Sequence, residues 1–196
     1  TVNDEKGFYH CFSSTEHGNI FDFIMKTQNL KFGETVRSLA SLAGMRPYTF
    51  SKQDEEREKN WQKYVSIYNH YVQFYHDELL KNEETVNARD YLKKRKLSKD
   101  EVKKFKIGYV EKKPNFFNKL KKNFDEKDLI SSGLFYLDEN KNTYVERFKE
   151  RIIFPINSIS GQPIALGGRT IQDNSYLAKY INSPETQFFK KGSNLY

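Results

Sequence analysis

Basic side chains gather near the C-terminal end of the sequence, at spacings suited to an anionic ligand. Arg147, Lys149 and Arg151 stand on alternate residues, so an extended backbone would project all three cations from one face. Arg169 directly follows two glycines, and paired glycines permit the close approach of another backbone or a phosphate. These residues therefore indicate a phosphate-binding surface.

The segment from Lys179 to Thr186 adds the other groups that a single-stranded nucleic-acid site requires. It contains Lys179, Tyr180 and Asn182, and Lys191 follows it. Cations hold phosphates, a ring stacks on a base, and amides read base edges. The competing interpretation is that the two glycines only bend the chain and that the cations face solvent. Composition favours that interpretation for any single residue, whereas the concentration of such residues favours binding.

Three residues near the N-terminus are potential zinc ligands: His10, Cys11 and His17. A structural zinc site takes four ligands, usually including paired cysteines. The chain contains one cysteine, which excludes an internal disulfide and fits a reducing compartment. From these residues alone, a short strand without metal is the better interpretation.

The sequence predicts no catalytic group. Nucleotidyl transfer needs clustered carboxylates that hold Mg²⁺, and the acids of the C-terminal part are scattered among cations. They are Glu146, Glu150, Asp173 and Glu185. The sequence also lacks a Gly-Lys-Ser/Thr phosphate loop and any Ser/His/Asp grouping that suggests a nucleophile.

The elements that must position these residues are expected as helices first and strands later, an order that predicts an α+β fold. A short strand within residues 7–12 precedes a helix capped by Asn19, and a second helix is predicted near residues 32–43. Charged residues without apolar periodicity then indicate a linker. The expected division is a small module over 1–46, a linker over 47–60 and a larger subdomain over 61–196.

From Trp61 the apolar spacing becomes helical, and the aromatic stripe is predicted to be core rather than a base-stacking platform. Its members are Trp61, Tyr64, Val65, Tyr68, Tyr71, Val72, Tyr75 and Leu79. A helix follows near residues 84–94, and Ser98 opens a capping box. Two hairpins are predicted, at 135–145 and 151–168, with Pro155 indicating a sheet edge or a bulge.

The net charge of the 196 residues is +7, which suggests an anionic partner such as nucleic acid. Residues 93–122 hold thirteen Lys/Arg and three Asp/Glu, a local charge of 13 − 3 = +10. This stretch is equally consistent with a solvated helix face. An aromatic share of 15% argues against disorder, and no apolar run is long enough to span a membrane.

Two groups of motifs resemble bacterial replicative DNA primases of the DnaG type. Tyr9-His10-Cys11-Phe12, Gly18-Asn19 and Phe21-Asp22-Phe23-Ile24-Met25 resemble the end of that family's zinc-binding domain. The later motifs resemble the start of its RNA polymerase domain, and the matches follow the expected order over nearly the whole chain. They are Arg147-Phe148-Lys149-Glu150-Arg151-Ile152-Ile153-Phe154-Pro155-Ile156, Gly167-Gly168-Arg169, Lys179-Tyr180-Ile181-Asn182-Ser183-Pro184-Glu185-Thr186, Lys191-Gly192 and Leu195-Tyr196.

The resemblance implies part of a cytoplasmic, replisome-associated polymerase that makes short RNA primers on single-stranded DNA. The zinc module of such enzymes helps select the template start site, and the next subdomain contributes a basic groove for the template and its RNA hybrid. By motif match, the groove residues would be Arg147, Lys149, Arg151, Arg169, Lys179, Tyr180, Asn182 and Lys191. Lys149 stands where the family often has Arg, which keeps the charge and loses bidentate contact.

The sequence departs from the family pattern at its zinc ligands. Cys11 matches the first cysteine of the family's Cys-x-x-Cys, and Ser14 occupies the second position. The upstream Cys and His would precede Thr1. Hence we expect a truncated zinc module, a strand plus two helices, that binds no zinc.

The remaining expectations concern catalysis and partners. The family's Mg²⁺-binding TOPRIM subdomain would follow Tyr196, so this chain should bind template without making primers. Contact with the replicative helicase is expected through a further C-terminal domain, and no membrane partner is expected. The rival interpretation is a non-catalytic module that binds single-stranded nucleic acid.

Overall fold

The computed structural model describes residues 1–45, 51–140, 142–172 and 178–192. Helices and antiparallel strands are mixed along the chain, so the predicted α+β class is confirmed. The strands are β1 (Val2–Asn3), β2 (Phe8–His10), β3 (His17–Asn19), β4 (Gly108–Val110), β5 (Phe135–Asp138), β6 (Thr143–Glu146), β7 (Arg151–Asn157), β8 (Pro163–Thr170) and β9 (Tyr180–Asn182). The helices are α1 (Ile20–Gln28), α2 (Phe32–Leu42), α3 (Lys52–Lys81), α4 (Val86–Lys94), α5 (Lys99–Lys104), α6 (Phe116–Leu120) and α7 (Glu126–Ser131), with a 3₁₀ turn at Glu83–Thr85.

The chain forms two compact units. The first comprises Thr1–Asn60 with Asn157–Gln162, and the second comprises Trp61–Ile156 with Pro163–Tyr196. Helix α3 begins at Lys52, inside the segment expected to be a linker, because residues 52–60 form a polar helix without an apolar stripe. The division at 1–46, 47–60 and 61–196 otherwise stays a prediction.

The first unit carries a three-stranded antiparallel sheet, in the order β1-β2-β3, followed by α1 and α2. Only one of these strands was expected, because two- and three-residue strands leave almost no periodic signal. Helix α1 begins as predicted at Asn19, whose side chain accepts from the backbone N–H groups of Phe21 and Asp22. Asp22 in turn accepts from the Asn19 N–H, which completes a capping box.

Helix α3 supplies the core of the second unit. The side chains of Tyr68, Tyr71, Tyr75 and Leu79 are fully buried, which confirms that the aromatic stripe is core. The spacing of three and four residues places them on one face of the helix. The three tyrosines pack with Phe135, Phe148 and other apolar residues into the larger of two hydrophobic clusters, and Leu79 belongs to the smaller one.

The main sheet of the second unit has the strand order β4-β7-β8-β9, and β5-β6 form a separate two-stranded ribbon. Both hairpins were predicted from the sequence, and Gly161 adopts positive φ in the β7–β8 turn. Strand β4 pairs with residues 151–153 of β7, so Pro155 lies beyond that ladder, where its missing N–H costs no pairing with β4.

The main sheet separates the two hydrophobic clusters. Ile153 belongs to the larger cluster with α3, whereas its neighbour Ile152 packs in the smaller one with Leu92 and Val102 of α4 and α5. Neighbouring residues of a strand point to opposite faces, which explains the division. Helices α4 and α5 thus cover one face of the sheet, and the capping box predicted at Ser98 opens α5.

Candidate nucleic-acid interface

The guanidinium of Arg169, near the end of β8, lies over two tyrosine rings. Its central carbon is 4.8 Å from the centroid of the Tyr91 ring and 5.2 Å from that of the Tyr180 ring. Arg169 pairs with Tyr180 across the β8–β9 ladder, so both side chains occupy one sheet face. The Tyr180 side chain is 59% exposed. The arrangement therefore presents an accessible ring backed by a fixed cation.

Asn182 ends β9, and Lys179 directly precedes it. Asn182 pairs with Gly167, and its Oδ1 lies 3.4 Å from where a Gly167 Cβ would stand. Lys179 is exposed, and its carbonyl accepts from the Thr170 N–H at 3.1 Å. This segment was expected to be irregular, but residues 180–182 form β9, because their backbone groups pair with β8. Thus Arg169, Tyr180 and Asn182 share one face of the β8–β9 ladder, and the exposed Lys179 directly precedes β9.

Gly168 and Arg151 lie on the other side of the sheet. A Cβ on Gly168 would approach the Phe148 ring to 2.4 Å and Arg151 Cδ to 3.3 Å. Gly168 thus makes room for the buried Phe148 ring and not for a phosphate. Strand β8 continues through both glycines, so they do not bend the chain. The Arg151 side chain is buried, which lowers its pKa by desolvation, and its Nη1 donates to the Lys179 carbonyl at 3.4 Å. Arg151 therefore supports the strand that carries Tyr180.

The expected alternation of Arg147, Lys149 and Arg151 on one face is wrong. Residues 147–150 form a turn between β6 and β7, with Glu150 at φ +57°, and alternation holds only in a strand. Arg147 instead donates from Nε to the Gly133 carbonyl at 2.7 Å and lies 5.7 Å from the Tyr136 ring centroid.

Two further predicted residues remain outside this group of contacts. Lys149 is exposed on the turn, and Lys191 is exposed in a loop where its N–H donates to Glu185. Leu195 and Tyr196, which belong to the matched motifs, lie outside the described residues.

Buried tyrosines of α3 hold the segment that follows β9, and no motif of the sequence indicates these contacts. The hydroxyl of Tyr64 donates to the Ile164 carbonyl at 2.7 Å and lies 3.0 Å from Thr186 Oγ1. The hydroxyl of Tyr68 donates to the Ser132 carbonyl at 2.9 Å and lies 3.4 Å from Ser183 Oγ. Helical spacing predicted the burial of these rings, but their hydroxyl partners depend on contacts between residues far apart in sequence.

The acids of the C-terminal part are each engaged separately. Glu146 is buried, and it accepts from the Tyr75 hydroxyl and the Phe116 N–H. Burial raises the pKa of Glu146 to about 7. Glu150 accepts from Gln172, Glu185 lies 3.8 Å from Lys190 Nζ, and Asp173 lies outside the described residues. Among the described residues, no three His, Cys, Asp or Glu side chains gather as metal ligands, so the residues present do not fit a Mg²⁺ site.

The residues around Cys11 do not fit a zinc site either. Its thiol lies 3.4 Å from Ser13 Oγ, and hydrogen bonds with Ser13 and then Ser14 lower the pKa of Cys11 to about 6. The rings of His10 and His17 are stacked with centroids 6.0 Å apart, and Ser14 offers a hydroxyl where a second thiolate is required.

Family models match both parts of the chain. Residues 74–196 match the model described as "DNA primase catalytic core, N-terminal domain", and residues 1–57 match the "CHC2 zinc finger". The chain is 39% identical to the DNA primase of Salmonella typhimurium and 34% identical to that of Escherichia coli K12, over the whole chain and 34% of each relative. It therefore spans about a third of the length of the curated relatives it matches.

Solved structures agree with these matches. The chain is similar to a DnaG primase catalytic domain bound to ssDNA, with a TM-score of 0.61 and 33% identity over 71% of this chain and 43% of the other. It is also similar to the zinc-binding and RNA polymerase domains of the Aquifex aeolicus primase, with a TM-score of 0.60 and 27% identity over 98% and 45%. With the matched family model, these likenesses show that the chain belongs to the DNA primase family.

Proposed function

We propose that this chain is the template-binding part of a bacterial primase that makes short RNA primers on single-stranded DNA at the replication fork. The observation that carries the proposal is the β8–β9 surface, where Arg169, Tyr180 and Asn182 share one sheet face and the exposed Lys179 directly precedes β9. Cations for phosphates, a ring for a base and an amide for base edges are the groups that single-strand binding uses. The ssDNA-bound state of one structural relative supports the same partner.

The experiment measures binding of a fluorescein-labelled oligo(dT) to the chain by fluorescence anisotropy at several salt concentrations. The double variant Arg169→Ala/Lys179→Ala removes two cations from the β8–β9 surface. We expect its affinity to fall by roughly tenfold or more. The slope of log Kd against log salt should decrease by about 2, because two phosphate contacts are lost.

A matched control removes the same charge elsewhere. Lys103→Ala/Lys104→Ala takes two cations from the lysine-rich stretch at the end of α5 and should change the affinity by less than about threefold. If this control loses more affinity than the β8–β9 variant, the interface lies in the lysine-rich stretch. An unaltered affinity of the β8–β9 variant would overturn the proposal.

Catalysis by these residues alone is not part of the proposal. The carboxylates that nucleotidyl transfer would need are engaged one by one, with Glu146 hydrogen-bonded in the core. We expect no primer synthesis when the 196-residue chain is incubated with template, ribonucleotides and Mg²⁺. RNA product above the no-enzyme background would contradict this. In the proposed whole protein, Mg²⁺ and helicase binding belong to other domains.

We propose further that the N-terminal module works without zinc, in contrast to the finger whose model it matches. One thiol and a serine at positions 11 and 14 support this. Metal analysis of the purified chain should find well under one zinc per molecule. Stoichiometric zinc that is lost in a Cys11→Ser variant would overturn this part.

The described part of the chain has no helix that is both long and apolar enough to cross a bilayer.

A further inference from the structure

Tyr91 is the residue of this surface that neither the motifs nor the charge pattern single out. It lies on α4 and packs against the smaller hydrophobic cluster, and its ring is closer to the Arg169 guanidinium than the Tyr180 ring is, 4.8 Å against 5.2 Å. The guanidinium thus lies over one half-buried ring on α4 and one exposed ring on β9. The Tyr180 ring is the more accessible of the two.

We infer that Tyr91 is a positioning residue for nucleic-acid binding, acting through Arg169. A guanidinium on a flexible stem loses rotamer freedom when it binds phosphate, and that loss weakens binding. A ring face fixed on α4 restrains the guanidinium before the ligand arrives, by cation–π attraction and planar stacking. The inference rests on the proposed function, because Arg169 must contact nucleic acid for Tyr91 to matter.

Two orphaned polar atoms support a ligand-related role. Nε of Arg169 and the hydroxyl of Tyr91 are both buried without a hydrogen-bond partner. A guanidinium that existed only to fasten two elements would be expected to donate to a carbonyl or carboxylate, as Arg89 does with the carbonyls of Leu79 and Asn82. Arg169 instead lies over two rings, and a guanidinium that stacks on a ring keeps its in-plane N–H donors available for a phosphate.

The test compares three variants in the oligo(dT) anisotropy assay. Tyr91→Leu removes the ring and should weaken binding by roughly fivefold, with a shallower salt slope, because the phosphate contact of Arg169 is lost. Tyr91→Phe keeps the ring and should bind within about twofold of the parent chain. The third variant, Tyr91→Leu/Arg169→Ala, should bind no more weakly than Arg169→Ala, because both changes remove one contact.

Tyr109→Leu is the matched control for packing. Tyr109 lies on β4 and packs against the same cluster as Tyr91, so its loss tests a general loosening of α4 and the sheet. We expect an unchanged salt slope for this variant. Thermal unfolding of all variants reports how much stability each ring supplies.

The outcomes separate the inference from the proposed function. If Arg169→Ala weakens binding and Tyr91→Leu does not, the positioning role is overturned while the interface stands. Additive losses in the double variant, or equal losses in Tyr91→Phe and Tyr91→Leu, would also overturn it. If Arg169→Ala itself has no effect, the assignment of Arg169 to the interface fails and the inference fails with it.

Discussion

The two units of this chain are stabilised in different ways. In the second unit, the rings of Tyr68, Tyr71 and Tyr75 on α3 are buried to zero exposure, and the Tyr68 hydroxyl donates to the distant Ser132 carbonyl. In residues 1–45, Gly18 and Thr35 are the described residues classed as buried, and Phe12 is 78% exposed. The first unit depends on local contacts. These are the Asn19 helix cap and pairs of aromatic rings such as Tyr9 and Phe23, whose centroids are 5.2 Å apart. A module of this size without a core normally needs a metal or a partner for stability.

The largest expected effect comes from breaking the aromatic core. Tyr68→Ala removes a fully buried ring and its hydroxyl bonds, and should lower the free energy of unfolding by about 4 kcal/mol. Phe12→Ala in the first unit should cost less than about 0.5 kcal/mol, because that ring is mostly solvated. Urea unfolding followed by far-ultraviolet circular dichroism measures both. Equal losses would contradict the contrast between the units.

The next effect is a pH dependence confined to the core. Burial raises the pKa of Glu146 to about 7, so the folded state holds its proton more tightly than the unfolded chain does. This contribution to stability is complete below about pH 4.5 and is lost as the pH rises through about 7, by on the order of 3 kcal/mol.

Glu146→Gln tests this dependence, because the amide does not titrate. The stability of the parent chain relative to Glu146→Gln should fall between pH 5 and pH 8, as measured by urea unfolding. Glu139→Gln changes an exposed carboxylate after β5 and is the control for removing one acidic side chain outside the core. A constant difference between parent and Glu146→Gln across this range would show that Glu146 is not buried in the neutral form.

The smallest expected effect comes from removing a helix N-cap in each of the two units. Asn19 and Ser98 both open capping boxes, with Asp22 and Glu101 as partners. Each substitution to Ala should cost about 1 kcal/mol of helix stability. In α5, buried Val102 anchors the helix, so we expect faster hydrogen exchange only in its first turn. In α1, which buries none of its side chains, exchange should accelerate throughout the helix. Matching exchange patterns in the two helices would contradict the idea that α1 lacks tertiary support.

Local periodicity explains what could be predicted from the sequence. The stripe on α3 and the two hairpins repeat over enough residues to define a face or a strand, and the core followed from them. Strands β4 and β9 have three residues each and exist through pairing with β7 and β8, which no local pattern contains. The prediction that Arg147, Lys149 and Arg151 share one face was wrong because a local pattern misled. Cations on alternate residues suggested a strand, but residues 147–150 form a turn with positive φ at Glu150.

The candidate site divides in the same way. The sequence predicts Arg169, Lys179, Tyr180 and Asn182 as site residues because they lie in two contiguous motifs. Tyr91 and the hydroxyls of Tyr64 and Tyr68 were missed because each meets its partner only after the chain has folded. The residue type does not indicate these contacts, since a tyrosine on a helix usually packs in the hydrophobic core. Only tertiary contacts distinguish these three.

The position of Trp61 has an optical consequence. It is the only tryptophan in the chain, and its ring lies 5.2 Å from Phe188 and 6.5 Å from Tyr64 by centroid. Phe188 belongs to the loop that Thr186 closes directly after the β9 segment. Indole emission responds to the polarity around the ring, so detachment of this loop would redshift the fluorescence. The natural sequence thus carries its own unlabelled reporter for the order of the loop beside the candidate interface.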